Sequence, residues 1–176
     1  MWELIGSKCN IAQGDKILLD EQAKKTILRK IPHGLYICGV KEGEDVNGFT
    51  LSWLMQASFK PPLVVSCVKQ DSKSHEMIKT SGVFAISFLD TEQKHLAQKF
   101  FQPLRRVGNK FDDVEFYLGE TGCPIISDSL GYVECQVVGT VAQGDHTVYV
   151  GEVIAAGVHR EGDALRLETT GWQYGG

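Results

Sequence analysis

Apolar residues along this chain fall mostly into short runs of strand length, separated by polar, Gly- or Pro-containing segments. Runs of this kind are typical of buried strands, whereas helices need the longer period of 3.6 residues. Two long runs flank the turn Gln143-Gly144-Asp145-His146, which predicts a hairpin. We therefore expect a mainly β, antiparallel fold with short helices. The predicted strands are 35–41, the segment that carries Thr50 and Ser52, 63–68, 83–89, 124–127, 131–142, 147–159 and 164–168.

Three segments have the spacing and caps of short helices. The first is predicted from Glu21 to about Lys30 after the N-cap Asp20, the second from Ser72 to about Thr80, and the third over 92–101. Ser81-Gly82 is a good end for the second helix. The stretch 102–122 is predicted to be loop-rich, and the first 19 residues give only a weak signal, an arm with a short strand at 16–19.

Composition narrows the class of protein. The chain has 176 residues, 43% hydrophobic and 23% charged, which suits one packed domain over 1–176. Its net charge is −4 and it has no basic stripe, so a nucleic-acid partner is disfavoured. No apolar run reaches the length of a membrane span and no secretory pattern opens the chain, so we expect a soluble, cytoplasmic protein without a membrane partner.

Cysteine and histidine spacing argue against disulfides and metals. The five cysteines form no CxxC pair, and Cys38, Cys67 and Cys135 lie in apolar, strand-like runs, which favours reduced core thiols. The five histidines show no HExxH or related spacing, so we expect no metal site.

The candidate chemistry is concentrated between residues 47 and 75. Asn47-Gly48 has the composition of a turn, Pro61-Pro62 that of a strand entry, and small hydroxyls surround Trp53. The segment Ser72-Lys73-Ser74-His75 then opens a helix with hydroxyls, free N–H groups and a positive charge, which suits a phosphate. We expect the first half to hold a flat polar ring system and the second half its phosphate. Taken singly, the same residues also fit an ordinary N-cap and ordinary strand formers.

The order of these features resembles the flavin reductase-like family, whose domains are FMN-binding split β-barrels. The similarity extends from about 31 to about 158, and the residues that carry it are Asn47 to Trp53, Ser58 to Val64, Ser72 to His75, Gly82 to Leu89, Lys99-Phe100 and Gly144 to His146. The resemblance implies a Greek-key-like antiparallel barrel, FMN as cofactor, NAD(P)H as electron donor and a homodimer.

The resemblance also implies roles for individual residues. His146 would lie near the nicotinamide or substrate as the catalytic candidate, and without the family it would be interpreted as a surface hairpin histidine. Lys73 stands where many relatives carry Arg, which keeps the charge but loses the bidentate fork. The implied FMN-binding residues are Asn47, Thr50, Leu51, Ser52, Trp53 and Ser58 around the ring and ribityl chain, Ser72, Lys73, Ser74 and His75 at the phosphate, and Lys99 and Phe100 near the flavin.

Two functions follow from this resemblance. The first is an NAD(P)H-dependent flavin reductase or flavoredoxin-like electron carrier, in which the cofactor performs the hydride chemistry and the protein binds and orients it. The alternative is a flavin-binding electron-transfer module without its own NAD(P)H site, docked to a redox-protein partner. A third hypothesis is a structural barrel that binds no flavin. The basic cluster at 104–110 fits a solvated loop or a lid that meets an anionic nicotinamide cofactor.

Overall fold

A computed structural model describes residues 18–176, and it is mainly β, with every strand pairing antiparallel. The helices are α1 (Glu21–Leu28), α2 (Lys73–Ser81) and α3 (Lys94–Lys99), with 3-10 turns at Thr91–Gln93 and Leu167–Thr170. The strands are β1 (Tyr36–Glu42), β2 (Asp45–Leu51), β3 (Leu54–Phe59), β4 (Pro62–Lys69), β5 (Val83–Phe88), β6 (Arg106–Val107), β7 (Lys110–Phe111), β8 (Val114–Leu118), β9 (Pro124–Ile126), β10 (Gly131–Val141) and β11 (His146–Val158).

Seven of these strands form one sheet in the order β2-β1-β5-β10-β11-β4-β3, and β6 to β9 form a second sheet of four. Strands β2 and β3 follow each other in sequence but lie at opposite edges of the large sheet, so residues 52 and 53 bridge its two ends. Antiparallel strands joined by short turns account for the hairpins β1–β2, β3–β4 and β10–β11. The predicted fold class is confirmed.

The central strands are buried on both sides. Phe84, Ala85 and Ile86 of β5 are fully buried, and Met77 and Ile78 anchor α2 beneath the same sheet. Helix α1 is different, because Ile27 and Ile31 are exposed on its predicted apolar face. Helix α2 begins and ends as predicted, with Ser72 as N-cap and Gly82 in the left-handed conformation at its C-cap.

The interpretation of Asn47-Gly48 as a turn is wrong. Both residues lie inside β2, where Gly48 pairs with Gly39 of β1, and the hairpin turns at Gly43, whose φ is +57°. Gly48 is needed for another reason, since a Cβ atom there would meet the Phe100 ring at 2.8 Å. The glycine permits close approach rather than chain reversal.

Other details of the local structure differ from the predictions. The segment between the predicted strand around Thr50 and the one at 63–68 is not a loop but strand β3, whose side chains are mostly exposed because it is an edge strand. The loop-rich stretch 102–122 also contains the short strands β6, β7 and β8. The predicted strand at 164–168 makes only isolated bridges at Ala164 and Arg166 before it turns into a 3-10 helix. The predicted strand at 16–19 lies partly outside the described residues.

The described cysteines, Cys38, Cys67, Cys123 and Cys135, are free thiols, and Cys9 lies outside the described residues. Burial raises the pKa of the Cys135 thiol to about 12. Within residues 18–176, no helix combines the length and apolar character that a membrane crossing needs.

Candidate functional site

A cleft of about 560 Å³ opens where residues 50–53 pass from one edge of the large sheet to the other. Its other walls come from the end of β4, the start of α2, the residues after α3, and the segment 167–174. The cleft therefore joins parts of the chain that are distant in sequence. Its lining residues are Leu35, Phe49, Thr50, Leu51, Ser52, Trp53, Cys67, Val68, Lys69, Ser72, Ser74, Phe100, Phe101, Leu167, Trp172, Gln173 and Tyr174.

The first wall is fixed by hydrogen bonds between β2 and α3. The Thr50 hydroxyl donates to the Ala97 carbonyl oxygen at 2.6 Å, and the Thr50 N–H donates to the Phe100 carbonyl oxygen at 3.3 Å. Gly48 allows the Phe100 ring to lie directly against the strand. Phe100 is thus held as a buried aromatic wall, and the Thr50 side chain orients α3.

One end of the cleft has the properties of an anion site. Ser72 and Ser74 line it at the start of α2, a nine-residue helix whose first N–H groups lack intrahelical acceptors. The Ser72 Oγ accepts the His75 N–H at 3.1 Å, and the Ser74 Oγ accepts from Asn47 Nδ2 at 3.0 Å. Lys69, from the end of β4, also lines this region, where its ammonium group forms an ion pair with Asp71 at 2.9 Å. We call this region the phosphate end.

Next to the phosphate end lies an aromatic cluster assembled from three segments, because His146 of this cluster pairs with Lys69 across β11 and β4. The Trp53 ring centroid lies 4.7 Å from that of His146 and 5.3 Å from that of Tyr174. The His146 ring contacts Asp145 through Nδ1 at 2.9 Å and the Tyr174 hydroxyl through Nε2 at 2.9 Å. His146 does not line the cleft itself but lies behind Trp53 and Tyr174, which do. We call this region the ring end.

The protonation pattern of the ring end follows from Asp145. The hydrogen bond from His146 lowers the pKa of that carboxyl, so it is ionised near neutral pH and accepts the Nδ1 proton. In the tautomer that carries its proton on Nδ1, the Nε2 atom of His146 accepts the Tyr174 O–H. Burial, with a smaller contribution from Asp145, raises the pKa of Tyr174, so this hydroxyl keeps its proton. His146 is therefore held at both ring nitrogens.

The structure brings together seven of the predicted cofactor residues, and it places the others elsewhere. Ser58 lies on edge strand β3, and Lys73 is exposed on the first turn of α2. The His75 ring is buried and contacts Thr147 Oγ1 at 2.8 Å, while Lys99 forms an ion pair with Asp113. The seven residues that line the cleft are Thr50, Leu51, Ser52, Trp53, Ser72, Ser74 and Phe100, and Asn47 contacts it through Ser74.

Sequence reasoning missed the part of the wall that comes from the end of the described chain. Trp172 packs edge-on against Phe101 with ring centroids 4.9 Å apart, and Tyr174 contacts Trp53. The two aromatic residues close together at 172 and 174 were a signal for packing against the barrel, but not for a place in the site. Lys69 also went unnoticed, because a lysine at the end of a strand is ordinarily solvated. The arginines of the basic cluster, Arg105 and Arg106, do not line the cleft.

Comparison with known proteins agrees with this geometry. The NADH-dependent FAD reductase of Streptomyces globisporus is 32% identical over 139 residues, which cover 78% of this chain and 76% of that protein. The FMN reductase (NADH) SmoA of Agrobacterium fabrum is 35% identical over 132 residues, which cover 75% of this chain and 73% of that protein. The solved structure of the flavin reductase PheA2 superposes with a TM-score of 0.72 at 31% identity, covering 84% of this chain and 93% of that one.

The same relationship appears at the level of the whole family. The fold shared with PheA2 confirms the expected split β-barrel. The family model described as the flavin reductase like domain matches residues 28–172, nearly all of the part that the structure describes. The phosphate end and the ring end both lie within or next to that range. This chain therefore belongs to the flavin reductase-like domain family.

Proposed function

We propose that this protein is an FMN-binding oxidoreductase that takes electrons from NADH or NADPH. One observation carries the proposal: a single cleft is lined both by two serines at a helix N-terminus and by the aromatic side chains of Trp53, Tyr174 and Phe100. A phosphorylated, flat ring system needs these two features in one cavity. The relatives that reduce FMN or FAD with NADH support the same chemistry.

The residues present suit FMN. A volume of about 560 Å³ falls within the usual range for small-ligand and cofactor pockets. Phe49, Leu51 and Phe100 supply an apolar wall for the isoalloxazine, while the Ser74 hydroxyl and the first N–H groups of α2 supply donors for the phosphate. The Ser72 hydroxyl holds this turn in place, since it accepts the His75 N–H and donates to the Lys69 carbonyl oxygen at 2.8 Å. In this proposal Lys73 acts only through its charge, from the exposed face of the turn.

The side chains then have separable tasks. When bound, the flavin supplies the hydride-accepting chemistry. The start of α2 neutralises the phosphate and fixes the position of the ring. Trp53 and Tyr174 exclude water from the ring end, and His146 presents Nε2 to the nicotinamide or substrate when Tyr174 releases it. Ser52, at the junction between β2 and β3, is close enough to the cleft to hydrogen-bond a polar edge of the ring.

The deciding experiment is the visible spectrum of the protein reconstituted with FMN, recorded anaerobically before and after NADH or NADPH. Rapid bleaching at about one equivalent of donor is expected, and the faster donor identifies the preferred nicotinamide. A protein that binds FMN but is not bleached would instead be an electron-transfer module that receives electrons from a docked partner. Failure to bind FMN would leave only a structural barrel.

We also propose that the protein acts as a homodimer. Strands β3 and β11 expose Met55 (62%), Ile154 (52%) and Val158 (80%), and a cavity of about 310 Å³ lies beside Met55 and Val153. Burial of these side chains against a second copy would remove apolar surface from water. Light scattering should give twice the mass of the chain, and Ile154→Asp should shift the protein to a monomer.

Two further parts of the proposal concern the surroundings of the protein. The free, buried thiols Cys38, Cys123 and Cys135 suit a reducing compartment, which supports a cytoplasmic location. A redox-protein acceptor would be identified by stopped-flow oxidation of the reduced flavoprotein in the absence of oxygen. Reoxidation only by free flavin or a small oxidant would remove the protein acceptor from the proposal.

A further inference from the structure

A second cavity, of about 450 Å³, lies beside the flavin cleft. The two cavities share one wall, formed by Leu167, Trp172, Gln173 and Tyr174. They also meet at the ring end, because the His33 ring, which lines the second cavity, lies 6.3 Å from the Trp53 ring, which lines the first. A ligand with its reactive ring beside Trp53 could therefore extend directly into the second cavity.

The second cavity has a basic side. Arg29 and Lys30, at the end of α1, both line it, and among residues 18–176 neither forms an ion pair with a carboxylate. Arg29 instead donates to the Gln173 side-chain oxygen at 2.6 Å and to the Gly175 carbonyl oxygen at 3.1 Å. Both acceptors are neutral, so they leave the charge of the guanidinium uncompensated. We call the cavity, with Arg29, Lys30 and His33, the basic pocket.

One acidic group faces these cations. Glu168 lines the same cavity. Burial lowers the pKa of the His33 imidazole, and the negative charge of Glu168 partly opposes this shift. With His33 neutral, the lining still carries two positive charges against one negative charge. The cavity also has an aromatic wall, since Trp172 borders it. Cations beside an aromatic surface suit a ligand that carries both phosphate and a purine ring.

We propose that the basic pocket binds the adenosine diphosphate half of a dinucleotide whose other half reacts at the ring end. This inference rests on the proposed function, which places a redox ring beside Trp53. The FMN phosphate has its own donors at the start of α2, whose serines do not line the basic pocket, so Arg29 and Lys30 are available for a different phosphate. The dinucleotide is either the nicotinamide donor or FAD, since both contain the same adenosine diphosphate.

The test uses ADP as the probe, titrated calorimetrically into the full chain with and without saturating FMN. Arg29→Ala and Lys30→Ala should each raise the Kd of ADP about tenfold, because each removes a charge-assisted contact to phosphate. The Kd of FMN should change less than about twofold in both variants. Raising the ionic strength should weaken ADP binding to the unaltered protein more than to either variant.

Two matched controls separate phosphate binding from other effects. Gln173→Ala removes the side-chain acceptor of Arg29 but keeps its charge, and Lys24→Ala removes a charge from the same helix outside the basic pocket. ADP affinity should stay within about twofold in both. The proposal is overturned if the unaltered protein does not bind ADP, or if Lys24→Ala raises the Kd of ADP as much as Lys30→Ala does. It is also overturned if Gln173→Ala raises this Kd as much as Arg29→Ala does while Lys30→Ala leaves it unchanged.

A final comparison identifies the source of the adenosine diphosphate. If FAD is the ligand, Arg29→Ala raises the Kd of FAD and leaves the Kd of NADH or NADPH unchanged; if the nicotinamide donor is the ligand, the reverse holds. If Arg29→Ala weakens ADP binding but changes neither the Kd of FAD nor the Kd of NADH or NADPH, a dinucleotide site is contradicted. If NADH bleaches the bound FMN but the protein does not bind ADP, this inference alone is overturned and the proposed flavin chemistry is left intact.

Discussion

The phosphate end and the ring end of the flavin cleft are built in different ways. At the phosphate end, Ser72 and Ser74 belong to one helix start, and their positions follow from local capping bonds. At the ring end, Trp53, His146 and Tyr174 come from three separate segments and meet only in the folded chain. The first region is a local motif, whereas the second depends on the register of β11 and on the course of the chain after residue 170.

This difference indicates how each end should respond to change. Loss of a local donor at the phosphate end removes binding energy directly and leaves the rest of the cleft in place. Loss of a contact at the ring end alters the orientation of its neighbours, because each ring packs on the next. We therefore expect substitutions at the phosphate end to change affinity and substitutions at the ring end to change turnover.

The largest expected effect is at the phosphate end. The double substitution Ser72→Ala with Ser74→Ala should raise the Kd of FMN about a hundredfold, because it removes the Ser74 donor to a charged group and the cap that holds the first N–H groups of α2 in place. The measurement is quenching of FMN fluorescence. The Kd of riboflavin, which has no phosphate, should rise less than about threefold in the same protein.

The N-cap role of Ser72 needs its own control. Its loss should destabilise the fold by about 1 kcal/mol, which a thermal melt followed by circular dichroism will show. Thr80→Ala, at the exposed far end of α2, should leave FMN binding unchanged. Equal losses for FMN and riboflavin would contradict a phosphate contact at Ser72 and Ser74.

The next effect is at the ring end, where His146→Ala should lower kcat with NADH or NADPH about tenfold, within the range of a lost proton-transfer or hydrogen-bonding group. The Kd of FMN should stay within about twofold, since His146 lies behind Trp53. Steady-state kinetics and flavin titration on one preparation provide both values. A variant with unchanged turnover would remove His146 from the site.

A smaller effect is expected from Tyr174→Phe, which keeps the ring against Trp53 but removes the O–H that His146 Nε2 accepts. The kcat with NADH or NADPH should fall about threefold, as expected for the loss of one ordinary hydrogen bond. Tyr174→Ala, which removes the ring as well, should have the larger effect. Identical losses in the two variants would show that the hydroxyl, and not stacking, is what matters.

The smallest effect concerns Cys67, a half-buried thiol in the cleft wall. Burial raises its pKa, so less of it is thiolate at a given pH than in an exposed cysteine. Its alkylation by iodoacetamide should therefore rise with pH at a higher midpoint than that of a cysteine peptide. FMN should slow the reaction about twofold. Mass spectrometry of the Cys67 peptide measures both, and a midpoint at or below that of the peptide would contradict the burial.

Local sequence was sufficient wherever neighbouring residues determine the structure. The helix start at Ser72, its end at Gly82 and the hairpin before His146 were all predicted, because capping and turn geometry depend on a few adjacent residues. The family resemblance added the cofactor, and seven of the twelve cofactor residues it implied line the cleft. Six of those seven lie in 50–53 and 72–74, where the motif and the local structure coincide.

Tertiary structure decided what local patterns could not. Asn47-Gly48 has the composition of a turn but lies in a strand, because pairing with β1 outweighs a weak local preference and the Phe100 ring needs the space above Gly48. Ser58, Lys73, His75 and Lys99 have suitable chemistry, yet none lines the cleft.

The sequence by itself thus determined the long strands, the helix caps and the serines of the phosphate end of this protein. Only the tertiary structure decided that Tyr174 meets His146 and that Arg29 meets Gln173, contacts that join residues 28 and 144 positions apart. The physical reason is that capping and turns are short-range effects, whereas a cavity wall depends on how whole strands and segments pack against one another.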